Sequence, residues 1–240
     1  MLCLFTASAI SANPLGHDLF QQATAAYESG DFTQSASLFH ECAALQPASG
    51  TLQNVGNAEW QNARVGPAIL AWEQSLWLDS FNEPARLNLR FARKSAQLEP
   101  PDLAWFEVVS TWLHVNYWAW LTGVSLWVAI GMITLPGILR LRKAAWHQAI
   151  AAVGLMVFLL TLPAHLGVHG RSRIGFVLQP ETPLRLTPTM ESQVLTRLPA
   201  GQPARVEQVR GNYVLARAGT LGHRGWIERE RFALVCAGRL

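Results

Sequence analysis

Two long stretches of the chain carry no formal charge, and only a short basic segment separates them. The first covers residues 116–139 and the second covers residues 144–166. About 20 apolar residues are enough for a helix to cross the hydrocarbon layer of a membrane. We therefore predict a hairpin of two transmembrane helices, at 112–139 and 148–166. The alternative is a buried helical hairpin in a soluble protein, which is disfavoured because core helices are rarely uncharged on all sides over such a length.

The segment between the two spans, residues 140–147, sets the predicted orientation. Its formal charges are three cations: Arg140, Arg142 and Lys143. Short loops rich in Lys and Arg stay in the cytoplasm. We therefore expect this loop to be cytoplasmic and both flanking parts of the chain to lie outside. Arg171 and Arg173, just beyond the second span, oppose this orientation.

The N-terminus gives a second indication of export. Residues 2–10 are mostly apolar, and this N-terminal segment carries small residues at Ala7, Ala9 and Ala12. This pattern resembles the end of a secretory signal peptide, although the basic residues that usually open such a leader are missing. We interpret residues 1–12 as a signal peptide remnant. An exported N-terminal part agrees with a cytoplasmic loop between the spans.

Residues 17–98 contain a repeated helical pattern. Ser35, Phe39 and Cys42 are spaced four and three residues apart, and a second set repeats that spacing: Ala68, Trp72 and Ser75. Together with the turn Gly30-Asp31-Phe32, these residues resemble tetratricopeptide repeats. The resemblance implies two helix pairs and a lone final helix, which bury their apolar faces only by stacking on one another.

Arrays of this type usually bind peptides or protein segments on a concave face formed by the first helix of each pair. The resemblance places seven residues of this chain on that face: Thr24, Tyr27, Glu28, Asn57, Trp60, Gln61 and Phe91. The matching positions lack the lysines of arrays that clamp a C-terminal carboxylate. The alternative is that Tyr27 and Trp60 fill the core. Residues 99–111, which include Pro100-Pro101, are predicted to form a linker because proline disfavours helix there.

In residues 174–236, short stretches that alternate between apolar and polar residues are separated by turn residues. This pattern predicts a small β-barrel. Six strands are predicted: 175–178, 184–186, 194–197, 204–209, 213–217 and 225–228. The stretch Gly225-Trp226-Ile227 resembles the late signature of bacterial SH3-like domains, whereas Tyr213 stands where that family usually has Trp. Some members of the family bind cell-wall peptides and others bind protein. The resemblance therefore marks Tyr213 and Trp226 as the candidate surface.

Charge is distributed unevenly along the chain. Residues 13–111 hold 11 acidic and 5 basic residues, whereas residues 171–240 hold 5 acidic residues and 11 arginines. Opposite fields on two tethered domains could attract each other or recruit separate partners, and two ordinary solvated surfaces are the alternative. An Arg-rich module can indicate nucleic-acid binding. An exported position instead favours an anionic wall polymer, a lipid headgroup or an acidic protein, so we expect no nucleic-acid partner.

No motif for nucleotide binding, serine hydrolysis or zinc proteolysis occurs in the sequence. His165 and His169 are four residues apart and could share a helix face as metal ligands. No carboxylate or thiol lies near them in the sequence, so we favour interfacial polar residues. Ser125 and Ala129 form a single pair of small residues, too weak to predict helix packing. We expect no enzyme activity, no metal and no cofactor.

The order of the modules is the most specific feature of the whole chain. A leader, two repeats, two spans with a basic loop and an SH3-like domain are similar to the BatE-type proteins of bacterial aerotolerance operons. Those operons also encode a MoxR-type AAA ATPase and membrane proteins with von Willebrand factor A domains. The resemblance implies a multidomain chain, α-helical and then β, that anchors in the lipid bilayer of the inner membrane and places both soluble domains in the periplasm.

The same resemblance implies a non-enzymatic scaffold, linked to envelope stress or aerotolerance, whose partners are other membrane or periplasmic proteins. The alternative function is a tether that binds peptidoglycan through the SH3-like domain.

Overall fold

A computed structural model of the protein describes residues 14–140, 144–219 and 222–236. The first five helices in this part of the chain are α1 (Pro14–Glu28), α2 (Phe32–Leu45), α3 (Ser49–Gln61), α4 (Val65–Leu78) and α5 (Glu83–Ser95). A short helix, α6 (Trp105–Val109), precedes two long ones, α7 (Val115–Ile138) and α8 (Ala145–Arg171). The signal peptide remnant predicted at 1–12 lies outside the described residues, as do Arg142 and Lys143 of the predicted loop.

Helices α1 to α5 pack in sequence, each against the next. The two sets of residues that share the repeat spacing are all buried: Ser35, Phe39, Cys42, Ala68, Trp72 and Ser75. Gly56 of α3 lies against the indole of Trp72, and a Cβ at this glycine would be 2.5 Å from Nε1 of that ring. The equal spacing therefore corresponds to equal roles in the core, which is the packing expected of helical repeats.

Helices α7 and α8 are long and apolar enough to cross a membrane, with mean hydropathies of 1.7 and 2.1. They pack against each other where Gly154 of α8 meets Ser125 and Ala129 of α7. A Cβ on Gly154 would lie 2.9 Å from the Ser125 carbonyl oxygen and 3.3 Å from the Ala129 Cβ. The two small residues that were too weak a signal to predict packing therefore lie at the helix–helix contact.

A polar cluster also joins the two long helices. The Thr122 hydroxyl oxygen is 2.8 Å from that of Thr161 and 2.7 Å from Nε2 of His165. His165 thus contacts the neighbouring helix, whereas His169 is exposed. Within the described ranges, no group of three or more His, Cys, Asp or Glu side chains is arranged to hold a metal ion.

Helix α8 extends five residues beyond the end predicted at 166. Two glycines in this extension let α6 approach closely, because Gly167 lies against the Phe106 carbonyl and Gly170 lies against the Glu107 side chain. At about 1.5 Å per residue, the 27 residues of α8 extend about 40 Å. The hydrocarbon layer is only about 30 Å thick, so the last turn of a spanning α8 would reach the headgroup region.

Seven antiparallel strands follow: β1 (Ile174–Val177), β2 (Thr182–Arg185), β3 (Val194–Leu198), β4 (Pro203–Arg210), β5 (Tyr213–Ala218), β6 (His223–Glu228) and β7 (Phe232–Leu234). Their order in the sheet of the described residues is β3-β2-β6-β5-β4-β1-β7. The sheet is open between β3 and β7, so it does not close into the predicted barrel. The six predicted strands are found, with ends shifted by at most two residues. The three-residue β7 was missed.

One hydrophobic cluster joins the helical repeats to the sheet. It contains Trp72 and Leu89 from the helices, and Ile174 and Phe176 from β1. Gly66 at the start of α4 lies against the end of β1, where a Cβ would be 2.6 Å from the Val177 carbonyl oxygen. The helical repeats and the sheet therefore share a core instead of being modules connected only by a tether.

Candidate functional site

Helices α3 and α5 bring two of the predicted groove residues together. The rings of Trp60 and Phe91 lie edge to face with centroids 6.0 Å apart, and Trp60 is also 6.0 Å from Trp72. Phe91 is 62% exposed, whereas Trp60 is half-buried against the shared core. An exposed aromatic ring therefore rests on a ring that the core holds in place.

Asn57 connects the helices that carry this surface. Its side-chain oxygen accepts hydrogen bonds from the Trp72 indole at 3.1 Å and from the Asn88 amide at 2.8 Å. These bonds connect α3 to both α4 and α5, so Asn57 positions the helices that carry the aromatic pair. Asn88 was not among the predicted groove residues. Gln61, at the end of α3, is exposed next to Trp60.

The three predicted groove residues of α1 lie in a different environment. The Thr24 hydroxyl donates to the Phe20 carbonyl at 2.9 Å, within the same helix. Tyr27 packs edge to face on Phe32 at 5.2 Å and against the N-terminal core cluster, while Glu28 is exposed. Tyr27 is therefore partly a core residue. The exposed aromatic surface is centred on α3 and α5.

A second surface feature, a cleft of about 440 Å³, was not predicted from the sequence. Its floor is the buried carboxylate of Glu59, which lies 2.9 Å from Nε2 of His40 and 3.0 Å from Nη1 of Arg64. Asn62 and Thr33 also line this cleft. The sequence signal was an acidic residue on the core-facing side of α3, next to Ala58. Arg64 neutralises that charge, so the cleft floor carries an ion pair and not a free carboxylate.

An ion pair with a buried carboxylate joins α6 to the sheet. Arg205 of β4 donates two hydrogen bonds to the Glu107 carboxylate, at 2.6 and 2.9 Å, and the Ala104 amide donates a third at 2.9 Å. Burial alone would raise the pKa of Glu107. The bonds from Arg205 and Ala104 outweigh that effect and hold the pKa below its ordinary value. The hydrogen bonds from Arg205 to Glu107 also raise the pKa of Arg205.

This ion pair lies where four parts of the fold meet. Arg205 also donates to the Gly170 carbonyl near the end of α8, at 3.2 Å. Arg171, the next residue of α8, lies over the Trp77 ring of α4 at 5.1 Å and donates to the Ser110 hydroxyl at 3.4 Å. One of the two cations that opposed the predicted orientation is thus held within the folded body. One sequence feature points to this pair, since Glu107 is the last acidic residue before a stretch of more than 70 residues without any.

The two residues proposed for the SH3-like surface differ in exposure. Trp226 is buried, at 9% exposure, and its backbone pairs with Arg185 and Leu215 on the neighbouring strands. Gly225 lets β2 approach, because a Cβ there would be 2.6 Å from Cγ of Leu184. Tyr213 is half-buried at the start of β5. Trp226 therefore packs within the sheet and does not form an exposed platform.

Arg140, the one described cation of the predicted basic loop, is exposed just after the end of α7.

No protein-family model matches the sequence, and a search of curated proteins finds no match either.

Proposed function

We propose that the protein is a membrane-anchored scaffold that binds a segment of another membrane or periplasmic protein across the surface formed by Asn57, Trp60, Gln61 and Phe91. The observation that carries this proposal is the exposed Phe91 ring, supported from below by Trp60. Protein interfaces are enriched in aromatic anchors of this kind, and a fixed side chain loses little conformational freedom on binding. The scaffold has no catalytic role in this proposal.

Membrane anchoring is assigned to α7 and α8, with both soluble parts on the same side. A hairpin of two spans returns the chain to the side from which it started. The core shared by the repeats and the sheet supports this arrangement, because Trp72 and Phe176 can meet only on one side of a membrane. The cations near Arg140 favour a cytoplasmic loop, which places the soluble body in the periplasm.

The order of the modules supports a place in a bacterial envelope complex of the BatE type. In that case, membrane proteins with von Willebrand factor A domains are candidate partners, and the complex acts in aerotolerance or envelope stress. The alternative is a tether that binds peptidoglycan through the SH3-like domain. It is weakened because the Trp226 indole in that part of the chain is buried.

Photo-crosslinking in intact cells tests the proposed surface. A photoreactive amino acid is placed at Gln61, and a matched probe is placed at Phe81, which is 66% exposed but is not one of the groove residues. We expect a discrete adduct with a membrane or periplasmic protein from position 61 only, and we expect Phe91→Ala to abolish it. An adduct that persists in Phe91→Ala, or the same adduct from position 81, would show that this surface is not the binding site.

A further inference from the structure

A row of three arginines crosses the sheet at one end. Arg205 of β4 pairs directly with Arg217 of β5, which pairs directly with Arg224 of β6. Directly paired residues project from the same face of a sheet. Neighbouring strands are about 4.8 Å apart, so the three Cα atoms span only about 10 Å.

The members of this row have different partners. Arg205 forms an ion pair with Glu107, whereas the side chains of Arg217 and Arg224 are 60% and 62% exposed. A single carboxylate, Glu207, contacts both exposed arginines, at 2.8 and 2.7 Å. Burial alone would raise the pKa of Glu207, but its bonds to both arginines hold that pKa below the ordinary value. One negative charge thus faces two positive charges, which leaves an excess of positive charge on an exposed surface.

The position of Arg205 sets the level of this row relative to a membrane. Its guanidinium donates to the carbonyl of Gly170, in the last turn of α8. An α8 of about 40 Å would reach beyond a hydrocarbon layer of about 30 Å, so Gly170 lies at the level of the headgroups. Trp105 and Trp112, on either side of the buried Glu107, are both exposed. Tryptophan rings prefer the same interfacial level.

We propose that Arg217 and Arg224 bind the phosphate groups of anionic phospholipids in the membrane that α7 and α8 cross. Two arguments identify this partner. The surface has excess positive charge, and it continues from the end of a spanning helix at headgroup level. A guanidinium can donate two parallel hydrogen bonds to a phosphate, which suits this residue type. The inference rests on the proposed membrane anchoring, but it does not depend on the aromatic surface of α3 and α5.

Lipid titration of the full-length protein in detergent, followed by native mass spectrometry, tests this site. We expect the wild type to bind phosphatidylglycerol more tightly than phosphatidylcholine. Each arginine at an anionic surface contributes a factor of roughly five to association. We therefore expect the double variant, Arg217→Gln with Arg224→Gln, to lower the lipid preference, which is the ratio of the affinity for phosphatidylglycerol to that for phosphatidylcholine, at least about fivefold. Glu207→Gln, which removes the competing carboxylate, should raise it.

A matched pair at the opposite end of the sheet controls for net charge. Arg210→Gln with Arg229→Gln removes the same two charges from exposed positions and should leave the preference unchanged. The proposal would be overturned if both double variants lost the phosphatidylglycerol preference equally. It would also be overturned if Arg217→Gln with Arg224→Gln left that preference unchanged. Displacement of phosphatidylglycerol by inorganic phosphate at constant ionic strength would overturn it as well, because it would indicate a site for free anions.

Carbonate extraction of cell membranes separates this inference from the anchoring proposal. A wild-type protein that carbonate releases is not an integral membrane protein, and the anchoring proposal fails together with the lipid site. A protein that resists extraction but has no lipid preference would refute the lipid site alone.

Discussion

The ion pair between Glu107 and Arg205 gives an asymmetric stability prediction. Arg205→Met leaves a carboxylate whose side chain is only 3% exposed, with the Ala104 amide as its remaining hydrogen-bond donor. Glu107→Gln instead leaves a guanidinium whose side chain is 35% exposed and can regain contact with water. A buried, unpaired charge costs far more than an exposed one. Arg205→Met should therefore destabilise the protein more than Glu107→Gln.

The magnitudes follow from the two environments. Breaking a buried pair costs about 3–5 kcal/mol, which applies to Arg205→Met. The loss in Glu107→Gln is reduced by hydration of Arg205 to about 1–2 kcal/mol. Each kcal/mol lowers the thermal midpoint by roughly 3 °C in a chain of this size. We expect decreases of about 9–15 °C for Arg205→Met and about 3–6 °C for Glu107→Gln.

Thermal unfolding of the full-length protein in detergent, followed by circular dichroism at one scan rate, measures these shifts. The double variant, Glu107→Gln with Arg205→Met, should be more stable than Arg205→Met alone, because it removes the stranded charge. A double variant less stable than Arg205→Met would refute the reasoning. Equal midpoints for the two single variants would refute it as well.

The pH dependence follows from the lowered pKa of Glu107. A carboxyl with a lower pKa in the folded state contributes stability that is fully present above its unfolded pKa, near 4.5, and is lost as pH falls through the folded value. At neutral pH, the free energy of unfolding of the wild type should therefore exceed that of Glu107→Gln by a constant margin. Below about pH 4.5 that margin should narrow. A margin that widens on acidification would contradict the assigned ion pair.

Three further predictions use the same thermal assay. Gly167→Leu should lower the thermal midpoint, because its side chain would meet the Phe106 carbonyl and separate α6 from α8. Gly123→Leu, on the open side of α7, should have little effect. Equal midpoints for these two variants would contradict this packing. Trp226→Ala should cost about 3–5 kcal/mol because the indole is buried, and a change below about 1 kcal/mol would contradict that burial. Phe91→Ala should shift stability by less than about 0.5 kcal/mol because the ring is largely exposed, so a large loss would make it a core residue.

Local patterns in the sequence were sufficient for most of the secondary structure. The 3.6-residue period and the equal spacing around Phe39 and Trp72 predicted the helices of the repeats, and the uncharged stretches predicted α7 and α8. Alternation with turn residues predicted six of the seven strands found in the described residues. The strand β7 was missed because three residues after a short 3-10 turn at Arg229–Arg231 are too few to show alternation.

Contacts between distant parts of the chain could not be read from those patterns. Glu107 and Arg205 are 98 residues apart, and no local pattern in the sequence marks either side chain as half of an ion pair. The shared core of Trp72 and Phe176 depends in the same way on how the helices dock on the sheet. For the groove, the resemblance to tetratricopeptide repeats implied Trp60 and Phe91, but only tertiary packing determines which ring is exposed. The family resemblances and the aerotolerance role remain predictions.

The membrane arrangement is the central claim, and thiol labelling tests it most directly. Single cysteines replace three exposed residues, Phe81 in the repeats, Arg210 in the sheet and Arg140 between the spans, after the native cysteines are changed to serine. Cells with a permeabilised outer membrane are treated with a membrane-impermeant maleimide. We predict labelling at positions 81 and 210 in these cells, and labelling at position 140 only after the inner membrane is disrupted. Labelling of position 140 alone in cells with an intact inner membrane, or of 81 and 210 on opposite sides, would contradict the account.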